Sequence, residues 1–326
     1  MSKLLVVIGI TGQQGGSVAN LYAKEPGWKV RGISRDPSKA QSWTARGVEV
    51  VKADLNDTES LIAAFKGANA IFSNTDFWAQ FYNPATREIL KPGQSINEYC
   101  YDLELQQGKN VADAAATVEG LDRFIISGLC DAKKLSKGKY TGVYHFDSKA
   151  KAVEYIREKY PELAAKMSIV QIGSYMSNWK HFSKPKKQAD GAYRFSQVGS
   201  GKTPVPHIDS VKDTGFVVRA ALQSPPGKHL LAVGTMLSWI DSFKVWCELH
   251  KVPFGGYDEI SIEEYEKSMP VPGLGKEIGE MWLFVDEFGF TGGEEGVVHA
   301  QDLGVPCPMT TLEEYLKTEG IWSDVL

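Results

Sequence analysis

The sequence predicts an α/β fold, in which a doubly wound parallel sheet is followed by a smaller, mostly helical C-terminal substrate lobe. Short apolar runs rich in Val and Ile, such as Leu4 to Gly9, alternate with segments of helical spacing as far as residue 175. Four glycines in GITGQQGG stand directly between the first apolar run and the first helical segment. Beyond residue 175 the alternation loosens into stretches rich in Gly, Pro and Ser.

The predicted elements follow each other in βαβ order. After the first strand we expect strands at Val30 to Ile33, from Val48 to Asp54, in NAIFSNTDFW, in DRFIISGL and in KMSIVQIGSY. Helical spacing returns later in DSVKDTGFVVRAAL, SFKVWCELH, SIEEYEKSM and TTLEEYLKT. We therefore predict a dinucleotide-binding region over 1–175 and a smaller lobe over 176–326, partly interleaved with the first.

Composition narrows the classes of function. The chain has 326 residues, 43% of them hydrophobic, and a formal net charge of -4, which gives no basic surface for nucleic acid. No apolar stretch reaches membrane-spanning length and no signal peptide precedes the first strand, so we expect a cytoplasmic protein without a membrane partner. The four cysteines and six histidines are scattered, which argues against a metal site.

The glycine-rich segment predicts a phosphate-binding turn. Between a strand and a helix, one glycine permits the turn, another lets backbone N–H groups approach a pyrophosphate, and a third lets the helix pack closely on the strand. The phosphate then lies at the positive end of the helix. A merely flexible loop is the alternative, but the strand before and the helix after favour dinucleotide binding.

The end of the second strand bears on which dinucleotide is bound. Where an NAD-specific protein has an acid near the ribose 2′-hydroxyl, this chain has Ser34 and Arg35. Arginine suits a 2′-phosphate, and Ser38 and Lys39 lie close enough in sequence to add contacts. Asp36 favours NAD if the register shifts by one residue. NADP(H) is the prediction.

Several segments together resemble a known family. GITGQQGGSVA, KVRGISRDP, VKADLND, LQQGKNVADAA, FIISGL and YHFDSKAKAVEYIRE are similar, in order, to blocks of the NmrA-like proteins of the atypical short-chain dehydrogenase group. The resemblance covers most of residues 1 to 180, and it is nearest to the NADPH-sensing human branch of that family. It extends more thinly to TPVPHIDSVKDTG and LGVPCPMTTLEEYL.

The resemblance implies a Rossmann domain and a set of cofactor-binding residues. The implied pyrophosphate loop comprises Gly9, Thr11, Gly12, Gln13, Gln14, Gly15 and Gly16, with Arg35 for the 2′-phosphate. Further implied contacts are Asp54 and Leu55 near adenine, Thr75, Asp76 and Phe77 along the nicotinamide ribose, Lys109 and Lys149, and Tyr175, Met176, Ser177 and Asn178 over the nicotinamide.

An insert distinguishes the chain from that human branch. Residues 78–105 are longer than the corresponding stretch and are rich in aromatic side chains, unlike a disordered segment. Because the insert begins at the end of the fourth strand, we expect a lid over a substrate pocket, lined by Trp78, Phe81, Tyr82, Tyr99 and Tyr101.

The candidate catalytic residues depart from the usual Ser, Tyr and Lys of short-chain dehydrogenases. Ser127 follows the fifth strand, and His145 and Lys149 have the i,i+4 spacing of neighbours on one helix face. In one interpretation His145 is a general acid beside Lys149. In the other, Lys149 only binds the nicotinamide ribose, and His145 and Tyr144 are packing residues.

Three functions remain open from the sequence. The first is an NADP(H)-dependent oxidoreductase that transfers hydride at C=O, C=N or C=C of a small molecule, in natural-product biosynthesis or in a cofactor-assisted cyclisation. The second is a non-catalytic NADPH/NADP redox sensor that regulates a protein partner. The third is a scaffold stabilised by nucleotide. The aromatic insert favours the enzyme, as a monomer or homodimer.

Overall fold

The computed structural model describes residues 2–179 and 184–318. Met1 and the parts of the predicted C-terminal lobe at 180–183 and 319–326 lie outside the described residues. The strands are β1 Lys3–Val7, β2 Trp28–Ser34, β3 Glu49–Lys52, β4 Ala70–Ser73, β5 Arg123–Ser127, β6 Met167–Ile172, β7 Ser174–Tyr175, β8 Lys186–Lys187, β9 Tyr193–Val198, β10 Val205–Ile208, β11 His229–Ala232, β12 Thr235–Leu237, β13 Phe254–Ile260 and β14 Val297–His299.

The helices lie between these strands and after them. They are α1 Gln13–Tyr22, α2 Gln41–Thr44, α3 Thr58–Phe65, α4 Phe77–Phe81, α5 Ile96–Ala116, α6 Ala132–Leu135, α7 Tyr144–Lys159, α8 Pro161–Lys166, α9 Ser210–Gln223, α10 Trp239–His250, α11 Ile262–Ser268, α12 Leu274–Phe288 and α13 Leu312–Thr318. Short 3₁₀ turns occupy Pro37–Ala40, Pro84–Ile89, Met176–Asn178 and Ala300–Leu303.

The central sheet confirms the doubly wound parallel prediction. Its eight strands lie in the order β14-β11-β6-β5-β4-β1-β2-β3, and all neighbouring pairs are parallel. The chain winds outward from β1 to β3 on one side and from β4 on the other. A crevice therefore opens at the carboxyl ends of β1 and β4, where ligands of such folds bind.

The C-terminal residues contribute to both parts of the molecule. β11 and β14 complete the large sheet, whereas β12-β10-β7 and β13-β9-β8 form two separate three-stranded sheets beside the helices. The predicted mostly helical lobe therefore contains more strand than we expected. An aromatic core holds it together, with buried Trp179, Phe195, Trp239, Phe243, Trp246 and Trp282.

The cysteines form no disulfide bonds, and the described helices are not of the membrane-spanning kind. Cys100, Cys130 and Cys247 are buried, Cys307 is partly buried, and all four are free. Across 2–179 and 184–318, no helix combines the length and the apolar character needed to cross a membrane.

Two helices from distant parts of the chain, α1 and α9, touch at Gly215. A Cβ built on Gly215 would lie 2.8 Å from the carbonyl oxygen of Ser17, which is closer than real Cβ atoms come. The backbone N–H of Gly215 donates to the Ser17 hydroxyl at 3.0 Å. Through this contact α9, from the C-terminal half of the chain, packs against α1, the helix that follows the glycine-rich turn.

We expect Gly215→Ala to lower the free energy of unfolding by about 1 to 3 kcal/mol, because the clash with backbone exceeds the gain in helix propensity. Chemical denaturation of the variant measures it. Lys212→Ala on the exposed side of the same helix is the control and should change stability by less than about 0.5 kcal/mol. If Gly215→Ala instead stabilises the protein, the close contact of α1 with α9 at this position is not required for stability.

Candidate functional site

The glycine-rich turn joins β1 to α1 at the crevice. Gly9 has a φ of +71°, a conformation that favours glycine, and the N–H of Gly12 donates to the Gly9 carbonyl at 2.9 Å. A Cβ on Gly15 would lie 2.3 Å from the same carbonyl oxygen. Gly12 precedes α1 without capping it by a side chain, so the first N–H groups of the helix remain available to an anion.

The two glutamines of the turn bind side chains from later parts of the chain. Gln14 Nε2 donates to the Tyr175 hydroxyl at 2.7 Å, and the Ser210 hydroxyl donates to Gln13 Oε1. Burial raises the pKa of Tyr175 to about 12, so this phenol is neutral at physiological pH. Gln14 Oε1 is buried without a hydrogen-bond partner among the described residues.

A cavity of about 210 Å³ lies at the carboxyl ends of β2 and β3. Arg35 and Lys52 line it, and in the described part of the chain neither side chain makes a hydrogen bond or an ion pair. Asp36, the residue that favoured NAD, accepts from the Ser38 hydroxyl at 2.6 Å, a bond that lowers the pKa of the Asp36 carboxyl. Lys39 is exposed nearby. Lys52 is a cation that the sequence analysis missed.

The loop after β3 is ordered by hydrogen bonds to itself and to α5. Asp54 accepts from the backbone N–H of Asn56 at 2.9 Å, and the Leu55 carbonyl accepts from Asn110 Nδ2 at 2.8 Å. The Lys109 ammonium, one position earlier on α5, lies 5.4 Å from the centre of the Tyr155 ring. The structure thus directs Lys109 toward α7, and its contact with a cofactor stays a prediction.

A buried carboxylate that the sequence analysis missed, Glu104, holds Lys149. Glu104 is 2% exposed and accepts from Thr75 Oγ1 at 2.8 Å, from the Ser148 hydroxyl and from the Lys149 ammonium. Lys149 itself is mostly buried. Glu104 thereby joins the loop after β4, which carries Thr75, to the start of α7, which carries Lys149.

His145 has a carboxylate partner of its own. Its Nδ1 lies 2.7 Å from Glu277 Oε1 and its backbone N–H donates to the same oxygen at 2.9 Å. Glu277 is 1% exposed and comes from α12, a helix that the sequence analysis did not predict. The other carboxylate oxygen accepts from Asn97 Nδ2 at 2.8 Å.

The insert at 78–105 is folded: it comprises α4, a 3₁₀ turn and the first turns of α5, and its role as a lid stays a prediction. Asp76 accepts from the N–H groups of Trp78 and Ala79 and so starts α4. A 3₁₀ turn follows, and Ser95 and Glu98 form a capping box that starts α5.

The aromatic side chains of the insert divide into two groups. Phe81 is buried in a cluster with Phe77, which precedes the insert, and with Ile96, Cys100 and Leu274, so Phe81 supports the predicted pocket rather than lining it. Trp78 lies 5.1 Å from the His145 ring, between centroids, and Tyr101 lies 5.9 Å from Tyr144. Tyr99 is partly buried, and Tyr82 is 42% exposed.

The remaining predicted residues lie at strand ends around the same crevice. Ser127 is the buried last residue of β5 and, in the described part of the chain, makes no side-chain hydrogen bond to His145 or Lys149. Met176, Ser177 and Asn178 form a 3₁₀ turn directly after Tyr175. Over the described ranges, no group of three or more His, Cys, Asp or Glu side chains is arranged to hold a metal ion.

Asp147 is a buried acid on α7 that the sequence analysis also passed over. It is 4% exposed and accepts from the Lys133 N–H at 3.2 Å. Burial raises the pKa of Asp147 to about 7, and the charge of Asp131 adds to that rise.

Comparisons with known proteins agree with this architecture. The model of the NmrA-like family matches residues 1–316. An NmrA-like family domain-containing protein of Dictyostelium discoideum is 26% identical over 333 residues, which cover 97% of this chain and 98% of that protein. An NmrA-like family domain-containing oxidoreductase of Penicillium ochrochloron is 27% identical over 257 residues, covering 74% and 71%.

A solved structure shares the fold over nearly the whole chain. It is NmrA, a negative transcriptional regulator, in complex with NADP. The TM-score is 0.70, with 19% identity over 97% of this chain and 94% of that one.

We expect Asp147→Asn to stabilise the protein at neutral pH but not in acid. Because the folded-state pKa of this acid is raised from 3.8 to about 7, the wild type loses stability as pH rises between these values, by about 3 to 4 kcal/mol. The amide cannot ionise, so the variant escapes that loss. Denaturation at several pH values measures the difference between variant and wild type.

The exposed acid Asp102, changed to Asn, is the control, and we expect it to shift stability by less than about 0.5 kcal/mol at each pH. If the stability difference for Asp147→Asn does not grow from acid to neutral pH, Asp147 is not protonated at the expected pH.

Proposed function

The chain belongs to the NmrA-like family, and from that premise we propose that it is an NADP(H)-dependent oxidoreductase that transfers hydride at a C=O, C=N or C=C bond of a small molecule. One observation carries the proposal: His145 and Lys149, on the first two turns of α7, each bind a separate buried carboxylate beside the crevice. Paired buried groups of this kind are typical of sites that move protons.

The residues of the crevice fit a dinucleotide phosphate. Gly15 lets α1 pack against the backbone of Ile8 and Gly9, and the first N–H groups of α1 have no capping side chain. Gln14 Oε1 is buried and lacks a partner among the described residues, which suits it to accept from a ribose hydroxyl. Arg35 and Lys52 offer unpaired charge for a 2′-phosphate.

The bound nicotinamide supplies the hydride chemistry, and the chain's own residues position the reactants. Lys149, fixed by Glu104, donates to a ribose hydroxyl in this proposal, and Thr75 orients the same carboxylate. His145 exchanges a proton with substrate through Nε2, the ring nitrogen that Glu277 leaves available. Trp78 and Tyr101 shield the site from water and favour a flat, apolar substrate.

The second candidate function is a nucleotide-responsive regulator of a protein partner. The aromatic packing around His145 favours this function, because it leaves little space for a substrate there. His145 is only 7% exposed, and the rings of Phe77 and Trp78 lie against it. The solved structure of a transcriptional regulator with the same fold adds support. Cytoplasmic location and a monomeric or dimeric state stay predictions.

We expect Arg35→Ala to weaken NADPH binding by about 100-fold, because a charge-assisted bidentate contact to the 2′-phosphate is lost. Lys52→Ala should weaken it by about 3- to 10-fold, as expected for an exposed point charge. Binding of NADH should change by less than about threefold in both variants. Calorimetric titration measures all of these affinities.

Lys29→Ala removes the same charge at the amino end of β2, outside the cavity, and is the matched control. Equal losses of NADPH and NADH affinity in Arg35→Ala would contradict the 2′-phosphate contact, and an unchanged NADPH affinity in Lys52→Ala would remove Lys52 from it.

Hydride transfer itself is tested with NADPH deuterated at C4 of the nicotinamide. We expect the wild-type protein to move deuterium into one or more members of a panel of aromatic ketones, imines, enones and quinones, detected by mass spectrometry. Lys149→Ala should weaken cofactor binding or slow transfer by about 10-fold or more. Tight NADPH binding without transfer to any compound would favour the regulator.

A further inference from the structure

We infer that Glu277 is a positioning residue for the proposed reaction: it fixes the His145 ring so that Nε2 serves as the proton donor. The inference rests on the proposed function. It assigns a role to α12, the helix that carries Glu277. Glu277 lies 132 positions after His145 in the sequence.

The contacts of Glu277 fix both the ring and its tautomer. A carboxylate accepts hydrogen bonds, so the 2.7 Å contact requires that Nδ1 of His145 carries a proton. Nε2 is then the nitrogen that exchanges a proton with substrate. The backbone N–H of His145 donates to the same carboxylate oxygen, which aligns the start of α7 with the ring.

Glu277 is itself held on its second oxygen. Asn97 Nδ2 donates to Oε2 at 2.8 Å and to the Gly273 carbonyl at 3.2 Å. Asn97 lies on the first turn of α5, within the insert. Both oxygens of the carboxylate are therefore hydrogen-bonded, and three elements meet at it: α5, α7 and α12.

Helix α12 also accepts hydrogen bonds from the segment that precedes His145. Glu280 accepts from the backbone N–H of Gly142 at 2.7 Å and from that of Thr141. Further along α12, Glu287 accepts from the Tyr140 hydroxyl at 2.9 Å. Three carboxylates of α12 therefore hold residues 140–145, and only Glu277 reaches the ring.

The proton step balances on the chain's own groups. As hydride is added to the carbon of a substrate C=O or C=N bond, Nε2–H of the protonated ring gives its proton to the oxygen or nitrogen. The ring is left neutral with Nδ1–H on Glu277, and water protonates Nε2 again.

The first test does not depend on activity. In ¹⁵N-labelled protein we expect a slowly exchanging Nδ1–H proton of His145, assigned by its absence in His145→Gln, and we expect Glu277→Ala to abolish it. Glu280→Gln, one turn along the same helix, should leave the signal in place. If the signal survives in Glu277→Ala, or if wild-type His145 carries its proton on Nε2 alone when neutral, the inference is wrong.

The second test uses a substrate found with deuterated NADPH. We expect Glu277→Gln to lower kcat by about 100-fold while KM and the NADPH affinity change less than about threefold. His145→Gln/Glu277→Gln should be no slower than His145→Gln alone, because Glu277 acts only through the ring. The assignment is wrong if Glu277→Gln raises KM and leaves kcat unchanged. It is also wrong if the losses in kcat of the two single variants add in the double variant.

The two tests separate the failure of the inference from the failure of the proposed function. If wild-type protein transfers no hydride to any compound yet the Nδ1–H signal depends on Glu277, the oxidoreductase proposal fails and the proton-donor role fails with it. If hydride is transferred and Glu277→Gln is as fast as wild type, only the role of Glu277 fails.

Discussion

The close approach of α1 to the end of β1 is the constraint on which the rest of the structure depends. With glycine at position 15, the helix packs against the backbone of Ile8 and Gly9, where any Cβ would overlap with carbonyl oxygens. This contact orients the first turn of α1 toward the crevice. It also places Gln13 and Gln14 where Ser210 and Tyr175 can bind them, so the turn aligns later parts of the chain as well as its own strand.

Elements with short-range signals could be predicted from the sequence. The first strand, the glycine turn and α9, which Asp209 caps through the N–H groups of Val211 and Lys212, are of this kind. Helix α12 was missed although Leu274, Ile278, Met281 and Val285 have helical spacing. It begins after Gly273, whose φ is +90° and which offers no capping side chain, so the usual start signal is absent.

The site could be predicted only as a set of residues, not as a set of contacts. His145 and Lys149 stood out by their spacing, but Glu104 and Glu277 lie 45 and 132 positions from their partners and look like ordinary helix charges. Nothing local in the sequence says that they are buried. The burial of Phe81 could not be predicted for a similar reason, because its cluster includes Leu274, which is 193 positions away in the sequence.

The two ends of the crevice differ in how strongly water screens their charges. Arg35, Lys39 and Lys52 are exposed, so dissolved ions reduce their attraction for a phosphate over a Debye length of about 8 Å at physiological ionic strength. Lys149 and Glu104 are largely buried, where such screening is weak. If Arg35 and Lys52 bind the 2′-phosphate as proposed, rising ionic strength weakens that contact while the buried Lys149–Glu104 pair is little affected, so the discrimination between NADPH and NADH depends on salt.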